Sequence, residues 1–181
     1  MDALTDEILH ICAHLSDKDN IHLSATFKRF SYIKFHALFF TKMHIKDIIR
    51  LPYFHQFSNV IMFDINEPLP KHIICLTFVD GFNQPIDNRI PDSVAYLTFG
   101  WNFNQPINSC IPDSVTHLTF GRWFNQAING CIPDSVTHLT FGYYFDQNID
   151  QLSISINYIS LSSNYKREIT EKMLPKVTIR K

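Results

Sequence analysis

Apolar positions recur along the middle of the chain at one fixed interval. The segment Ile90-Pro91-Asp92-Ser93-Val94-Ala95-Tyr96-Leu97-Thr98-Phe99-Gly100 returns 21 residues later at 111–121 and again at 132–142. A second block alternates with it: Phe82-Asn83-Gln84-Pro85-Ile86, then Phe103 to Ile107, Phe124 to Ile128, and Phe145 to Ile149. The pattern fades at both ends. Upstream, Leu69 to Phe78 is a recognisable copy and Val60-Ile61-Met62-Phe63 a degenerate one. Downstream, Ile156, Ile159 and Leu161 continue the columns of Val136, Leu139 and Phe141 with one residue deleted, and Tyr165 and Ile169 continue Phe145 and Ile149.

A fixed unit with constant apolar columns cannot bury its hydrophobic face alone and must stack on its neighbours. In one repeat Leu97, Phe99, Phe103, Ile107, Ile111 and Val115 are expected to point inward. Alternation at Leu97 and Phe99 predicts a strand over residues 96–100 and its equivalents. The spacing Val94-x-x-Leu97-x-Phe99 resembles the strand of leucine-rich repeats. Pro106 and Pro112 exclude a helix on the return path, because each removes a backbone donor and clashes with the preceding turn. Gly100, Gly121 and Gly142 share a column where the chain either needs positive φ or passes close to its neighbour. Asn83, Asn104, Asn125 and Asp146 are placed to form a ladder between coils.

The N-terminal segment reads differently. Thr5 is suited to cap a helix whose stripe is Ile8, Ile11, Cys12 and Leu15, with Asp6 and Glu7 in its first turn. Residues 16–19 break it and can cap a second helix with Ile21 and Leu23. Thr26 can cap a third with Phe27, Phe30 and Ile33. Three short helices make a marginal core on their own.

Composition adjusts this picture in three ways. The 181 residues carry 16 Lys+Arg and 17 Asp+Glu, but residues 51–160 hold 3 basic against 9 acidic side chains, which argues against nucleic acid. No apolar run approaches the ~18 residues that a membrane span needs, and the acidic start at 2–7 lacks a signal-peptide layout. Residues 161–181 hold 6 basic and 2 acidic side chains, read as a solvated cap. The aromatic share, 14% with 16 Phe, is high enough to need a structural cause.

Chemistry is sparse. His10 and His14 stand one helical turn apart with no third ligand, and no Gly-rich phosphate loop or Gly-x-Ser-x-Gly elbow occurs. His117 and His138 share a column and are expected about 5 Å apart on adjacent coils, with Tyr96 and Tyr158 completing the row. A zinc clamp or a polar ligand-facing row both fit that placement. Cys110 and Cys131, one period apart, either approach each other or fill a packed turn. Neither an enzyme activity nor a cofactor is expected. The residues that vary between repeats cluster at the strand exits: Asp80, Trp101-Asn102, Arg122-Trp123 and Tyr143-Tyr144. Structural columns must repeat and a recognition surface need not, so Tyr96, Trp101, His117, Arg122, Trp123, His138 and Tyr143 are the candidate target-binding surface. The competing explanation is that Trp123 and Tyr144 fold over the solenoid edge.

Two family resemblances follow from these motifs. The Phe-Asn-Gln-Pro-Ile block joined to Ile-Pro-Asp-Ser-Val-Thr-His-Leu-Thr-Phe-Gly resembles the FNIP repeat, a leucine-rich-repeat relative of social amoebae and giant amoebal viruses, over about residues 69–160. Leu4-Thr5-Asp6-Glu7-Ile8-Leu9, Leu15-Ser16-Asp17-Lys18-Asp19 and Lys28-Arg29-Phe30 resemble an F-box over about residues 1–45, with Thr5 where proline is usual.

Together the resemblances imply an α+β chain, with a three-helix F-box-like module at 1–48 and a leucine-rich-repeat-like β-solenoid of 21-residue FNIP coils at 49–181. They imply a cytoplasmic protein, in the host cytoplasm if viral, that serves as substrate-recognition subunit of a cullin–RING ubiquitin ligase. Leu4, Ile8, Leu9 and Leu15 would face the Skp-type adaptor, and the repeats would hold a target protein. The alternative is a non-catalytic binding or decoy scaffold whose helices only cap the first coil.

Overall fold

A computed structural model describes residues 39–40, 42–52 and 54–180. The expected adaptor-facing residues Leu4, Ile8, Leu9 and Leu15, and nearly all of the expected three-helix module, lie outside the described residues. The described chain divides into two units, one of residues 39–60 and 68–73, the other of residues 61–67 and 74–180.

The first unit holds strand β1 (Met43–His44), the single-turn helix α1 (Ile45–Ile48) and a 3₁₀ turn at Phe54–Gln56. Phe39 and Phe57 form a parallel bridge, with ring centroids 5.1 Å apart. The Ser58 hydroxyl donates to the Phe39 carbonyl at 3.0 Å, which satisfies a buried polar group at no cost to the surrounding apolar packing. Phe39, Ile45, Ile48, Phe57 and Val60 are fully buried around it. Strand β2 (Asn59–Met62) starts in this unit and ends in the second.

The second unit is a parallel β-solenoid, with one short strand per coil. Its strands are β3 (Cys75–Phe78), β4 (Tyr96–Thr98), β5 (His117–Thr119), β6 (His138–Thr140), β7 (Tyr158–Ser162) and β8 (Val177–Arg180). Each pairs in parallel with the next. Leu76, Leu97, Leu118, Leu139 and Ile159 face one another in register, and the step from Leu139 to Ile159 is the expected one-residue deletion. Turns and extended segments connect the strands, as the prolines require. The strand predicted over 96–100 is shorter, Tyr96–Thr98, although the Phe99 N–H still bonds the Thr119 carbonyl at 2.8 Å. At Gly100 the chain closes onto the backbone of the coil before it, and regular pairing stops there.

Aromatic rings fill the solenoid axis in two continuous columns. Phe78, Phe99, Phe120 and Phe141 lie 5.2, 5.4 and 5.5 Å apart in sequence, within 7° of parallel. Phe82, Phe103, Phe124, Phe145 and Tyr165 form the second column at 6.0 to 6.3 Å. Within each coil the two columns touch, at 4.0 Å between Phe99 and Phe103 and 3.6 Å between Phe141 and Phe145. Offset stacking of this kind suits the ring quadrupoles, and burying each ring contributes about 1.5–3 kcal/mol before ordering entropy is set against it. The high Phe content has its cause here.

Polar columns tie the coils at their turns. The Asn83 side-chain oxygen accepts the Asn104 N–H at 2.9 Å; Asn104 does the same for Asn125, and Asn125 for Asp146. Gln105, Gln126 and Gln147 add a second bond each, donating from their amide nitrogens to the same Asn oxygens at 2.9–3.1 Å. Gly100, Gly121 and Gly142 serve close approach. A Cβ at any of them would sit well inside 3.0 Å of the preceding coil's carbonyl, on Val79, Gly100 and Gly121 respectively. Positive φ falls in a different column, Asn88 (56°), Ser109 (51°) and Gly130 (68°).

The basic C-terminal segment adds one more strand to the sheet and, as a cap would, keeps most of its side chains in solvent. β8 continues the sheet, with Val177 opposite Ile159 and Ile179 opposite Leu161. Among the described residues, no helix is long and apolar enough to cross a membrane.

Candidate functional site

Strand alternation turns one set of side chains out for every set it buries. Leu97, Leu118 and Leu139 are buried, so their neighbours on both sides stand on the outer face of the sheet. One row there is Tyr96, His117, His138 and Tyr158; the next is Thr77, Thr98, Thr119 and Thr140.

The His/Tyr row is a stack. Tyr96 and His117 have ring centroids 4.5 Å apart, His117 and His138 4.3 Å, and His138 and Tyr158 6.1 Å. Hydroxyl neighbours anchor both imidazoles. Thr116 Oγ1 lies 3.2 Å from the Ala95 carbonyl and 3.0 Å from His117 Nδ1. Thr137 Oγ1 repeats this, 3.3 Å from the Thr116 carbonyl and 2.9 Å from His138 Nδ1. Each hydroxyl has one proton for these two neighbours, so its role toward the ring follows the imidazole tautomer. Partial burial, and secondarily His138, holds the His117 pKa below its ordinary value. No cluster of three His, Cys, Asp or Glu side chains able to hold a metal occurs among the described residues, so this row matches a polar surface better than a zinc clamp.

Beyond the Thr row the strand exits raise a wall. Asp80, Trp101, Arg122 and Tyr143 occupy one column, and Trp123 and Tyr144 stand in the next. The Arg122 guanidinium lies 6.0 Å from the Trp101 ring, 5.2 Å from Tyr143 and 5.8 Å from Tyr144. Trp123 stacks on Tyr144 at 4.2 Å, and Tyr144 meets Tyr143 edge-on at 4.9 Å. The rings remain open to solvent, with Trp101 57% and Trp123 48% exposed. Between the Thr row and this wall runs a groove of about 510 Å³. Gly100, Gly121 and Gly142 line it. Arg180 borders its far end, where its guanidinium donates to the Phe141 carbonyl.

Of the seven sequence-predicted surface residues, Trp101, Arg122 and Tyr143 line the groove, Tyr96, His117 and His138 form the ring row on the outer face of the strands, and Trp123 stands one column beyond, stacked on Tyr144. Sequence reasoning missed the Thr floor as part of that face. Its signal was present, because Thr77, Thr98, Thr119 and Thr140 repeat at the period of the core. It also missed Arg180, which lies 39 residues from its partner Phe141.

The return path bears a second groove of about 470 Å³, bordered by Asp92, Cys110, Asp113 and Cys131. Cys110 and Cys131 are free and half-buried. Both sit on Asn108: Cys110 Sγ is 3.0 Å from its carbonyl oxygen, and Cys131 Sγ is 3.4 Å from its side-chain oxygen. Burial first, and the Cys110 thiol second, push the Cys131 pKa up. A raised pKa withholds the thiolate and makes a weak nucleophile.

No curated protein matches this chain. The family model described as FNIP Repeat matches residues 82–123 and 124–154, a stretch of repeats that includes Trp101, Arg122, Trp123 and Tyr143.

Proposed function

We propose that the chain recruits a target protein to a cullin–RING ubiquitin ligase, with the outer face of the solenoid holding the target and the N-terminal module docking a Skp-type adaptor. The observation that carries the target-binding half is the contrast between columns. Leu, Phe, Thr, Asn and Gln repeat from coil to coil, whereas the exit column changes from Asp80 to Trp101 to Arg122 to Tyr143 and is exposed. Exposed Trp, Tyr and Arg in one patch are what protein interfaces favour. Support for the adaptor half is the F-box-like pattern of residues 1–45 alone.

Co-purification tests both halves. Full-length protein is expected to retain a Skp-type adaptor, and the Leu4→Asp/Ile8→Asp double variant to lose it. Trp101→Ala is expected to melt like the wild type while retaining less of the proteins captured from an amoebal lysate. Equal adaptor retention by wild type and double variant removes the ligase half and leaves a binding scaffold. A Trp101→Ala chain that is folded and captures the same proteins equally well removes the target-binding face.

A further inference from the structure

Arg122 differs from the other arginines of the solenoid in what its guanidinium touches. Arg89 donates to the Asn66 side-chain oxygen, Arg167 to the Asp146 carbonyl and Arg180 to the Phe141 carbonyl. Arg122 is held by three rings and has no acceptor oxygen among the described residues. Its five donors are thus oriented and unpaired at the edge of the groove.

A carboxylate already occupies the position equivalent to Arg122 two coils earlier. Asp80 Oδ1 accepts the Trp101 N–H at 3.2 Å. In the next two coils the Asp80 position is taken by Trp101 and Arg122, and the N–H groups of Arg122 and Tyr143 have no acceptor among the described residues. The hydroxyls of Thr98, Thr119 and Thr140 on the groove floor likewise have no partner there. Donors and hydroxyls without acceptors line one side of a groove whose charged groups are Asp80, Arg122 and Arg180. Of the other acids of the repeats, Asp92 and Asp113 border the return-path groove, Asp146 borders a separate pocket with Tyr143 and Tyr144, and none of Asp87, Asp134 and Asp150 lines the outer groove. Asp80 is thus the one acid against two arginines there.

We infer that the groove takes an extended peptide segment of the target carrying an acidic side chain, and that this carboxylate pairs with Arg122. The inference rests on the proposal that the outer face binds the target. The Thr row crosses four strands from Thr77 to Thr140, roughly 14 Å at the usual strand spacing, which an extended segment of about four or five residues spans. The Thr hydroxyls would meet its backbone and the Trp101 and Tyr143 rings its apolar side chains. With Asp80 against Arg122 and Arg180, the charged groups lining the groove leave one net positive charge, which suits a carboxylate rather than a phosphate dianion.

The test is panning of a phage-displayed library of random decapeptides on the full-length chain, followed by affinity measurement with synthetic copies of the enriched peptides. Enriched peptides are expected to share an Asp or Glu at a fixed position. Their affinity is expected to fall about tenfold or more on Arg122→Gln, by a similar factor on changing that acid to its amide, and by little more when both changes are combined. Arg122 is exposed and anchors no core residue, so unchanged melting of Arg122→Gln serves as the folding control. Enriched peptides that lack a shared acid, or that ignore Arg122→Gln while being lost on Trp101→Ala, overturn the carboxylate pairing and leave the target-binding face standing. A phosphoserine copy binding about tenfold tighter than the acidic peptide also overturns it. A panning that yields no peptide sensitive to either Trp101→Ala or Arg122→Gln overturns both readings.

Discussion

The imidazole rings of His117 and His138 lie face to face, 4.3 Å between centroids and 7° from parallel. Parallel pairing in register brings them together, because each occupies the same position of its coil. Protonating His117 in the folded chain works against partial burial and against His138, so its folded pKa is depressed. The unfolded chain binds that proton more readily, and stability therefore rises with pH across this range. The full contribution is present above the ordinary imidazole value of about 6.5 and is lost as pH falls below it toward the folded pKa. Between about pH 7.5 and 5.5 the wild-type melting temperature is expected to drop more than that of His117→Gln. Equal drops in the two proteins exclude the effect.

Three glycines separate close approach from backbone conformation. Alanine at Gly121 would drive its Cβ into the Gly100 carbonyl, a backbone atom locked in the stack, and is expected to cost about 3 kcal/mol or more in urea denaturation. Alanine at Gly130 meets no atom within 4 Å but must hold φ at 68°, for an expected cost of about 1 kcal/mol. Alanine at Gly81, which has neither constraint, is expected to leave stability unchanged.

The Asn ladder accepts bonds through side-chain oxygens, so oxygen rather than the amide group is what each position needs. Asn104→Ala removes the acceptor of the Asn125 N–H and one of the two acceptors of the Gln126 amide, and is expected to cost about 1–2 kcal/mol by chemical denaturation. Asn104→Asp keeps an acceptor for both and is expected to lose less. Asp146 already stands in this column, where its carboxylate accepts the Lys166 N–H at 3.2 Å.

Tyr165 closes the second aromatic column and donates its hydroxyl to the Gln147 carbonyl at 3.0 Å. Its pKa is pushed up to about 12, by burial first and then by Asp146 and Asp150, with Arg167 opposing. The folded value lies above the unfolded value of about 10, so the contribution to stability is complete below that pH and lost as pH rises through the folded pKa. Spectrophotometric titration is expected to show a late-ionising phenol that Tyr165→Phe removes. Identical titration of the two proteins contradicts the assignment.

Phe103 is fully buried, stacked between Phe82 and Phe124 and against Phe99. Phe103→Ala is expected to cost about 3–5 kcal/mol, read as a shift in the urea midpoint, because the neighbouring coils are tied by their own ladders and cannot collapse into the space. A loss below about 1 kcal/mol would mean that the coils can slide to fill it.

Periodicity made the core legible. Leu97, Phe99 and Phe103 could be placed inside because the same apolar types return 21 residues on, and register follows once one coil is aligned with the next. The last coil escaped because its spacing contracts: Val177 follows its register partner Ile159 by 18 residues, and its short alternating run is set among basic side chains. The Gln column repeats as faithfully as the Asn column, yet nothing in its spacing says that Gln105 reaches back to Asn83, since that depends on how the turn is folded. The outer face was found by variation and its floor missed for the opposite reason. Thr98, Thr119 and Thr140 do not vary, although they lie as much toward solvent as toward the core.

The way the glycine column stacks has a consequence for how such a chain can change over evolutionary time. At Gly100, Gly121 and Gly142 a coil lies so close to the backbone of the one before it that no side chain fits, and each of these coils carries one floor threonine and one wall residue. Duplicating a block of 21 codons therefore extends the recognition surface by one rung without redesigning any interface inside the stack, and the new wall position is free to diverge at once. Molecular length and binding preference are inherited as separate variables, the first set by copy number and the second by single substitutions at positions such as 101, 122 and 143.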